Sequence, residues 1–379
     1  MYAYVCVWNQ SQEEAIRLGL EAVCGKLGSM VEQVEELVEE RRTAGSDASE
    51  ATSGVGSDGE QPDVLVYCWR GGMRSASVGW LLRECGFRCR SLDGGYKGFR
   101  RWAHGIFDEK AKNDDDAPAG VEDADTGRRG GEEEKELDAT AIPSSKLCVI
   151  GGRTGVGKTR LLRKLEAMGE QVLDLEELAA HRGSVFGWVG EAAQPSNEQF
   201  LNNVALSVAG LDSTRWVFAE DEGRHVGRVH VPDALYDALR QAPLVIRVQC
   251  SRDSRLDLLV EDYASGHAQS TSDWHERMKA SVAQLTKRFG SENVSKVVDA
   301  LDAREWRHVA DLLLPYYDKL YDKHIKNETG TGTGTGTRKG MIVTVGDDAL
   351  DFDEHSLAND IIQRVRALEK DDEASELPS

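Results

Sequence analysis

Along the chain, the spacing of apolar and polar residues changes period several times, and each change marks an element. From 11 to 42, SQEEAIRLGLEAVCGKLGSMVEQVEELVEERR, apolar positions recur every three or four residues, the helical repeat. Gly25 and Gly28 interrupt that run, so the pattern predicts two helices broken between them. The Gly/Ser/Asp-rich segment 43–63 predicts a flexible loop, ending where an apolar run, VLVY (64–67), predicts a strand. SASVGWLLRECG then reads as a helix, FRCRSLDGG as a short strand entering a turn, and YKGFRRWAHGIF as a further helix. That alternation predicts an α/β unit built on a parallel sheet.

The alternation resumes at KLCVI (146–150), an uninterrupted apolar run of the kind buried in the middle of a sheet. A glycine loop, GGRTGVGKT, and a helix, RLLRKLEAM, ended by Gly169, follow it. RWVFAEDE (215–222) and PLVIRVQC (243–250) predict further central strands, and 274–326 turns helical and aromatic. The repeat NETGTGTGTGT (327–337) predicts an exposed, disordered insertion ahead of a last strand, MIVTV.

Length and composition add limits. A chain of 379 residues, 40% of them hydrophobic, can bury two ordinary cores. No apolar run is long enough for a membrane span, and MYAYVCVWNQSQEE lacks the basic and apolar regions of a secretory signal, so a soluble cytoplasmic protein is expected. Seven scattered cysteines form no CxxC pairs, which supports neither a disulfide framework nor a zinc site. The net charge of −20 is concentrated in two places. Residues 108–138 hold 13 Asp/Glu against 5 Lys/Arg, and residues 347–376 hold 11 against 3; both read as solvated linker or tail. A folded body near neutrality can still carry a basic groove.

One cysteine stands apart. In YCWRGGMRS, Cys68 leaves a strand and enters a turn with Gly71, Gly72, Arg70 and Arg74. Inward-pointing amides, the positive end of the next helix and two guanidiniums would favour the thiolate and hold a tetrahedral anion against it. Cys68 is therefore a candidate nucleophile or carrier, while Cys6, Cys24, Cys85, Cys89, Cys148 and Cys250 are expected to be structural, with Cys85 or Cys89 available as a resolving thiol. Two chemistries fit the turn. Cys68-x5-Arg74-Ser75 satisfies the cysteine-phosphatase spacing, and the same strand-to-helix position suits sulfur or selenium transfer.

The second motif is more specific. GRTGVGKT fits G-x4-G-K-[ST] between a predicted strand and helix. The candidate phosphate-binding residues are Gly152, Thr154, Gly155, Gly157, Lys158 and Thr159, with Thr159 able to hold magnesium. Asp174, Glu220 and Asp221 are candidate acidic partners. Neither metal nor nucleotide is firmly required.

YCWRGGMRS, LDGGYKGFRRW, GGRTGVGKT, DLEELAAHRGSVFGW, EDEGRHVG, LVEDY, KRFG and LLPYYDKLYDK occur in that order between about residues 64 and 325. The set resembles the tRNA 2-selenouridine synthase family, most distinctively through HRGS-x-FG (His181 to Gly187) after a DLE (Asp174 to Glu176). The resemblance implies a rhodanese-like domain followed by a P-loop NTPase-like α/β domain with a helical C-terminal part. The implied boundaries are 1–107, rhodanese-like and partial; 108–142, an acidic disordered linker; 143–346, the P-loop domain; and 347–379, a C-terminal helix and acidic tail. It also implies wobble 2-thiouridine in tRNA as substrate, geranylated on sulfur by geranyl diphosphate and then converted to 2-selenouridine by selenophosphate. Cys68 would carry or direct the selenium, and Lys158 would assist departure of diphosphate.

Candidate RNA-phosphate contacts are Arg100, Arg101, Arg182, Arg224, Arg228, Arg252, Arg255, Lys287 and Arg288. Tyr316, Tyr317 and Tyr321 either stack an unpaired base or form ordinary helical core. An enzyme supplying selenophosphate is an expected partner. The family's rhodanese domain opens with strands that do not precede Ile16 to Leu20 here, so an N-terminally truncated domain is expected, and a lost extension could have carried an organellar address. The alternatives are a cysteine phosphatase or thiosulfate sulfurtransferase joined to an NTPase, and an inactive tRNA-binding relic.

Overall fold

The computed structural model describes residues 12–46, 64–107, 144–264, 272–328 and 340–375. The predicted 108–142 linker, residues 47–63 of the predicted loop, 329–337 of the Gly/Thr repeat and Cys6 lie outside them. The chain divides into two compact units, residues 1–101 with 116–134, and residues 102–115 with 135–379. No helix among the described residues is long and apolar enough to cross a membrane.

In the first unit, α1 (Gln12–Ser46) is one continuous helix of 35 residues, not the two predicted. A glycine inside a helix costs about 1 kcal/mol relative to alanine, which weakens but does not end it when strong helix formers flank it. β1 (Val64–Val66) leads into α2 (Met73–Glu84), and β2 (Cys89–Ser91) pairs parallel with β1. α3 (Gly95–Gly105) follows and runs across the division between the units.

The second unit is built on a parallel five-stranded sheet. β3 (Leu147–Gly152) is buried throughout and leads through a glycine loop into α4 (Lys158–Ala167). β4 (Gln171–Leu173), the short α5 (Leu175–Leu178), α6 (Asn197–Ala209) and β5 (Val217–Glu220) come next. A hairpin, β6 (His225–Val226) and β7 (Val229–His230), precedes α7 (Asp233–Gln241) and β8 (Leu244–Gln249). The helical part comprises α8 (Arg252–Ala264), α9 (Ser272–Ala283), α10 (Thr286–Phe289), α11 (Ser291–Asp302) and α12 (Trp306–Glu328). β9 (Met341–Gly346) and α13 (Glu354–Ser375) complete the unit.

The strand order is β4-β5-β3-β8-β9, every neighbouring pair parallel. The chain goes from β3 to β4 on one side and later crosses from β5 to β8 on the other, so a crevice opens beyond the C-terminal end of β3, where open α/β sheets bind ligands. Alternate residues of β3 enter different cores: Leu147 and Val149 pack with α6 and α7, Cys148 and Ile150 with α4 and α13. The acidic stretch from 347 is therefore not all solvated tail, because Leu357, Ala358, Ile361, Ile362 and Val365 of α13 are buried against the sheet. Burying five such side chains contributes several kcal/mol, which outweighs the local repulsion of exposed acidic neighbours. A third core joins Phe186 and Val189 to the helical part.

Candidate functional site

The Cys68 turn takes its shape from close backbone packing. The Tyr96 amide donates to Cys68 O at 2.9 Å, and that of Lys97 to Trp69 O at 3.1 Å. Gly95 has φ +57°, and a Cβ there would lie 2.2 Å from Cys68 O, so LDGGYKG acts as the mould of the cysteine loop. The Gly72 amide donates to Cys68 Sγ at 3.2 Å, and the Ser75 hydroxyl lies 3.4 Å from Sγ and 2.9 Å from Gly72 O. The Ser75 hydroxyl, then the Gly72 and Arg70 amides, hold the thiol down at about pKa 6. The thiolate is thus favoured by a hydroxyl and amides rather than by the guanidinium charge expected from Arg70 and Arg74, both exposed at the rim. Rings of Tyr67, Trp69, Tyr96 and Phe99 cluster beside it.

Burial raises the thiols of Cys148 and Cys250, consistent with inert core cysteines. Cys85 is exposed, contrary to the expectation of a structural cysteine, because it caps α2 at the surface.

In the second unit, the glycine loop between β3 and α4 forms one end of a cleft of about 690 Å³. Gly157 has φ +77°, and a Cβ there would meet the Phe352 ring at 2.5 Å, so the segment before α13 backs the loop. Lys158 Nζ sits 3.4 Å from Gly152 O, at the loop's mouth. Thr159 Oγ1 has a single proton and two carboxylate neighbours, Glu176 Oε2 and Glu220 Oε1, each at 3.1 Å. Carboxylate oxygens of Glu176, Glu220 and Glu222 all lie within 4.8 Å of one another. Desolvation first, and mutual repulsion second, push Glu220 well above the usual carboxylate range and Glu222 up to about 8.

Of the predicted acidic set, only Glu220 reaches this point. Asp174 is the N-cap of α5 and accepts from the Glu177 amide at 2.8 Å. Asp221 faces the other side of the sheet, in a buried ion pair with Arg240. Glu176 and Glu222, the latter from the same acidic strand end EDE, complete the cluster with Glu220.

The predicted RNA-binding arginines are largely committed to the fold. Arg255 is buried, donates to Thr154 O at 2.9 Å and pairs with Asp318, fastening the glycine loop to α12. Arg224 pairs with Asp233 at 2.6 Å and lies over the Tyr236 ring; Arg252 pairs with Asp311 at 2.7 Å; Arg228 donates to Gln194 O at 2.7 Å. Arg182 lines the cleft, tied to Glu191 at 2.6 Å and to Asp262 O at 3.0 Å. Lys287 and Arg288 are exposed on α10, away from the cleft lining. Arg100 and Arg101 lie on α3, in the first unit. Tyr316 and Tyr317 pack edge-on against each other in the helical core, with Phe289 against Tyr316.

The HRGS-x-FG segment forms a wall of the cleft. Ala180 and Ser184 adopt positive φ, and His181 is buried beneath Gly187. Ser184 lines both the polar cleft and a narrow apolar pocket of about 80 Å³, which is lined further by Phe186, Leu259, Trp274, Met278 and Leu313. Thr154, Leu259, Tyr263 and Tyr317 also border both. A glycine loop between a buried central strand and a helix, at the C-terminal edge of a parallel sheet, defines a P-loop protein.

Residues 145–349 match the tRNA 2-selenouridine synthase AAA domain. The tRNA 2-selenouridine synthase of Sulfurovum sp. is 33% identical over 291 residues, 70% of this chain and 69% of that protein. That of Hydrogenovibrio crunogenus is 30% identical over 70% of each chain, and that of Alcanivorax borkumensis 28% identical over 86% of this chain and 81% of that protein. The chain belongs to the tRNA 2-selenouridine synthase family.

Proposed function

We propose that the chain is a tRNA 2-selenouridine synthase that replaces the sulfur of wobble 2-thiouridine with selenium in two steps. In the first, the thiocarbonyl sulfur attacks C1 of geranyl diphosphate, the C1–O bond breaks, diphosphate departs and N3 loses its proton. The diphosphate lies in the loop Gly152–Thr159, where Lys158 and the inward amides neutralise its growing charge. The start of the prenyl chain enters the apolar recess at Phe186 and Leu259. In the second step selenium from selenophosphate displaces geranyl thiol at C2, and hydrolysis of the P–Se bond releases phosphate. Cys68, in what we read as a rhodanese-type loop, directs the selenophosphate without bonding to its selenium, and Arg70 and Arg74 face its phosphate; a separate enzyme supplies selenophosphate. Thr159, Glu176 and Glu220 offer the hard oxygen donors that fit magnesium, which when bound would add positive charge beside the departing diphosphate.

The observation that carries this reading is the junction of a phosphate cradle with an apolar recess, sharing Thr154, Ser184, Leu259, Tyr263 and Tyr317. That shape suits a prenyl diphosphate better than a nucleotide. The test supplies purified protein with 2-thiouridine tRNA, geranyl diphosphate and selenophosphate, and follows nucleosides by mass spectrometry. Lys158→Ala is expected to stop geranylation, whereas Cys68→Ser lets the geranylated nucleoside accumulate without selenium. Equal failure of both variants in both half-reactions would refute this division of labour, and tRNA-independent hydrolysis of aryl phosphates would point to a phosphatase.

A further inference from the structure

The cleft continues past the glycine loop along α4, where Arg160, Arg163, Lys164 and Ala167 line it. Two of the cations in its walls are matched: Arg160 pairs with Glu261 at 3.0 Å and Asp262 at 2.6 Å, and Arg182 with Glu191. Arg163 and Lys164 differ from them. Among the described residues neither makes an ion pair or a side-chain hydrogen bond, and Arg163 is exposed. The charge of Arg163 is felt by Asp174, whose carboxylate is already engaged in capping α5.

Helix geometry places Lys164 about 9 Å along the axis from Lys158. A diphosphate seated in the loop does not extend that far, so these two charges serve a longer anion. Four of the arginines expected to bind nucleic acid, Arg182, Arg224, Arg252 and Arg255, are tied into ion pairs, whereas among the described residues Arg163 and Lys164 beside the cleft make none.

We propose that Arg163 and Lys164 hold the phosphate backbone of the tRNA strand next to the nucleotide that enters the cleft. This rests on the reading of the chain as a tRNA-modifying enzyme. The contacts carry no sequence information; they set the position and register of the strand, and their contribution weakens with salt.

The test uses the full chain and fluorescein-labelled 2-thiouridine tRNA, with binding followed by anisotropy between about 50 and 200 mM KCl. The double variant Arg163→Ala/Lys164→Ala is expected to lower the slope of log affinity against log salt by about 1.4, the value for two single-strand phosphate contacts. Arg163→Glu/Lys164→Glu is expected to weaken binding further, and both variants should bind inorganic pyrophosphate like the parent chain. An unchanged slope and affinity in both would overturn the proposal. So would a parallel loss of pyrophosphate binding, which would place the pair in the diphosphate cradle. If the parent chain itself bound no tRNA, the functional reading would fall first, and this inference with it.

Discussion

Alkylation of Cys68 as a function of pH tests the cysteine loop directly. Its pKa is lowered from an ordinary thiol value of 9.0 to about 6. At pH 7 such a thiol is about nine-tenths ionised, and an ordinary one about one-hundredth, a gain of roughly 90-fold in thiolate. A less basic thiolate is also a weaker nucleophile: with a Brønsted slope of about 0.4–0.5, three units cost about 16- to 32-fold. Cys68 should therefore react with iodoacetamide only about three- to six-fold faster than a free cysteine peptide at pH 7, and roughly 15- to 30-fold slower at pH 10. Peptide-level mass spectrometry resolves Cys68 from the exposed Cys85. Ser75→Ala removes the largest cause of the shift and should move the midpoint upward. Two results would refute the reasoning: a parent midpoint above about 8, or a Ser75→Ala midpoint equal to the parent's, which would mean that the hydroxyl proton is given to Gly72 O.

Two further outcomes concern stability. Arg240→Ala would leave the Asp221 carboxylate buried without its partner, both side chains being at most 6% exposed, and should cost about 3–5 kcal/mol in denaturant unfolding; a loss under about 1 kcal/mol would contradict the pairing. Glu222 has its pKa raised from 4.5 to about 8, so across that window the folded chain keeps a proton that the unfolded chain has released. Stability should therefore fall as pH rises through the window, and Glu222→Gln should flatten the slope. Identical pH profiles for parent and variant would contradict this.

What could be read from the sequence follows how local each cause is. The phosphate loop was legible because its geometry depends on glycines and a lysine a few residues apart; the cysteine turn was legible through Cys68, Gly71 and Gly72, but its mould, the Gly95 segment more than 20 residues on, was not. The acidic partners were half legible, and the missed half had signals. Asp174-Leu175-Glu176-Glu177 has the spacing of a helix capping box, which assigns Asp174 to a cap. On a strand, alternate residues share a face, so Glu220 and Glu222 go together and Asp221 turns away. The ties of Arg255 to Asp318 and of Arg240 to Asp221 had no such signal, since partners 63 and 19 residues distant meet only once the sheet and helices are packed. The continuity of α1 was misjudged because two glycines were given more weight than the helix formers around them.

The backing of Gly157 by Phe352 bears on the order in which a nascent chain matures. Almost 200 residues are synthesised between the two, so the glycine loop leaves the ribosome long before the ring that supports it. β9, which closes one edge of the sheet, also emerges late. An abortive product stopping before residue 352 would carry the whole glycine-loop motif without the ring that supports it.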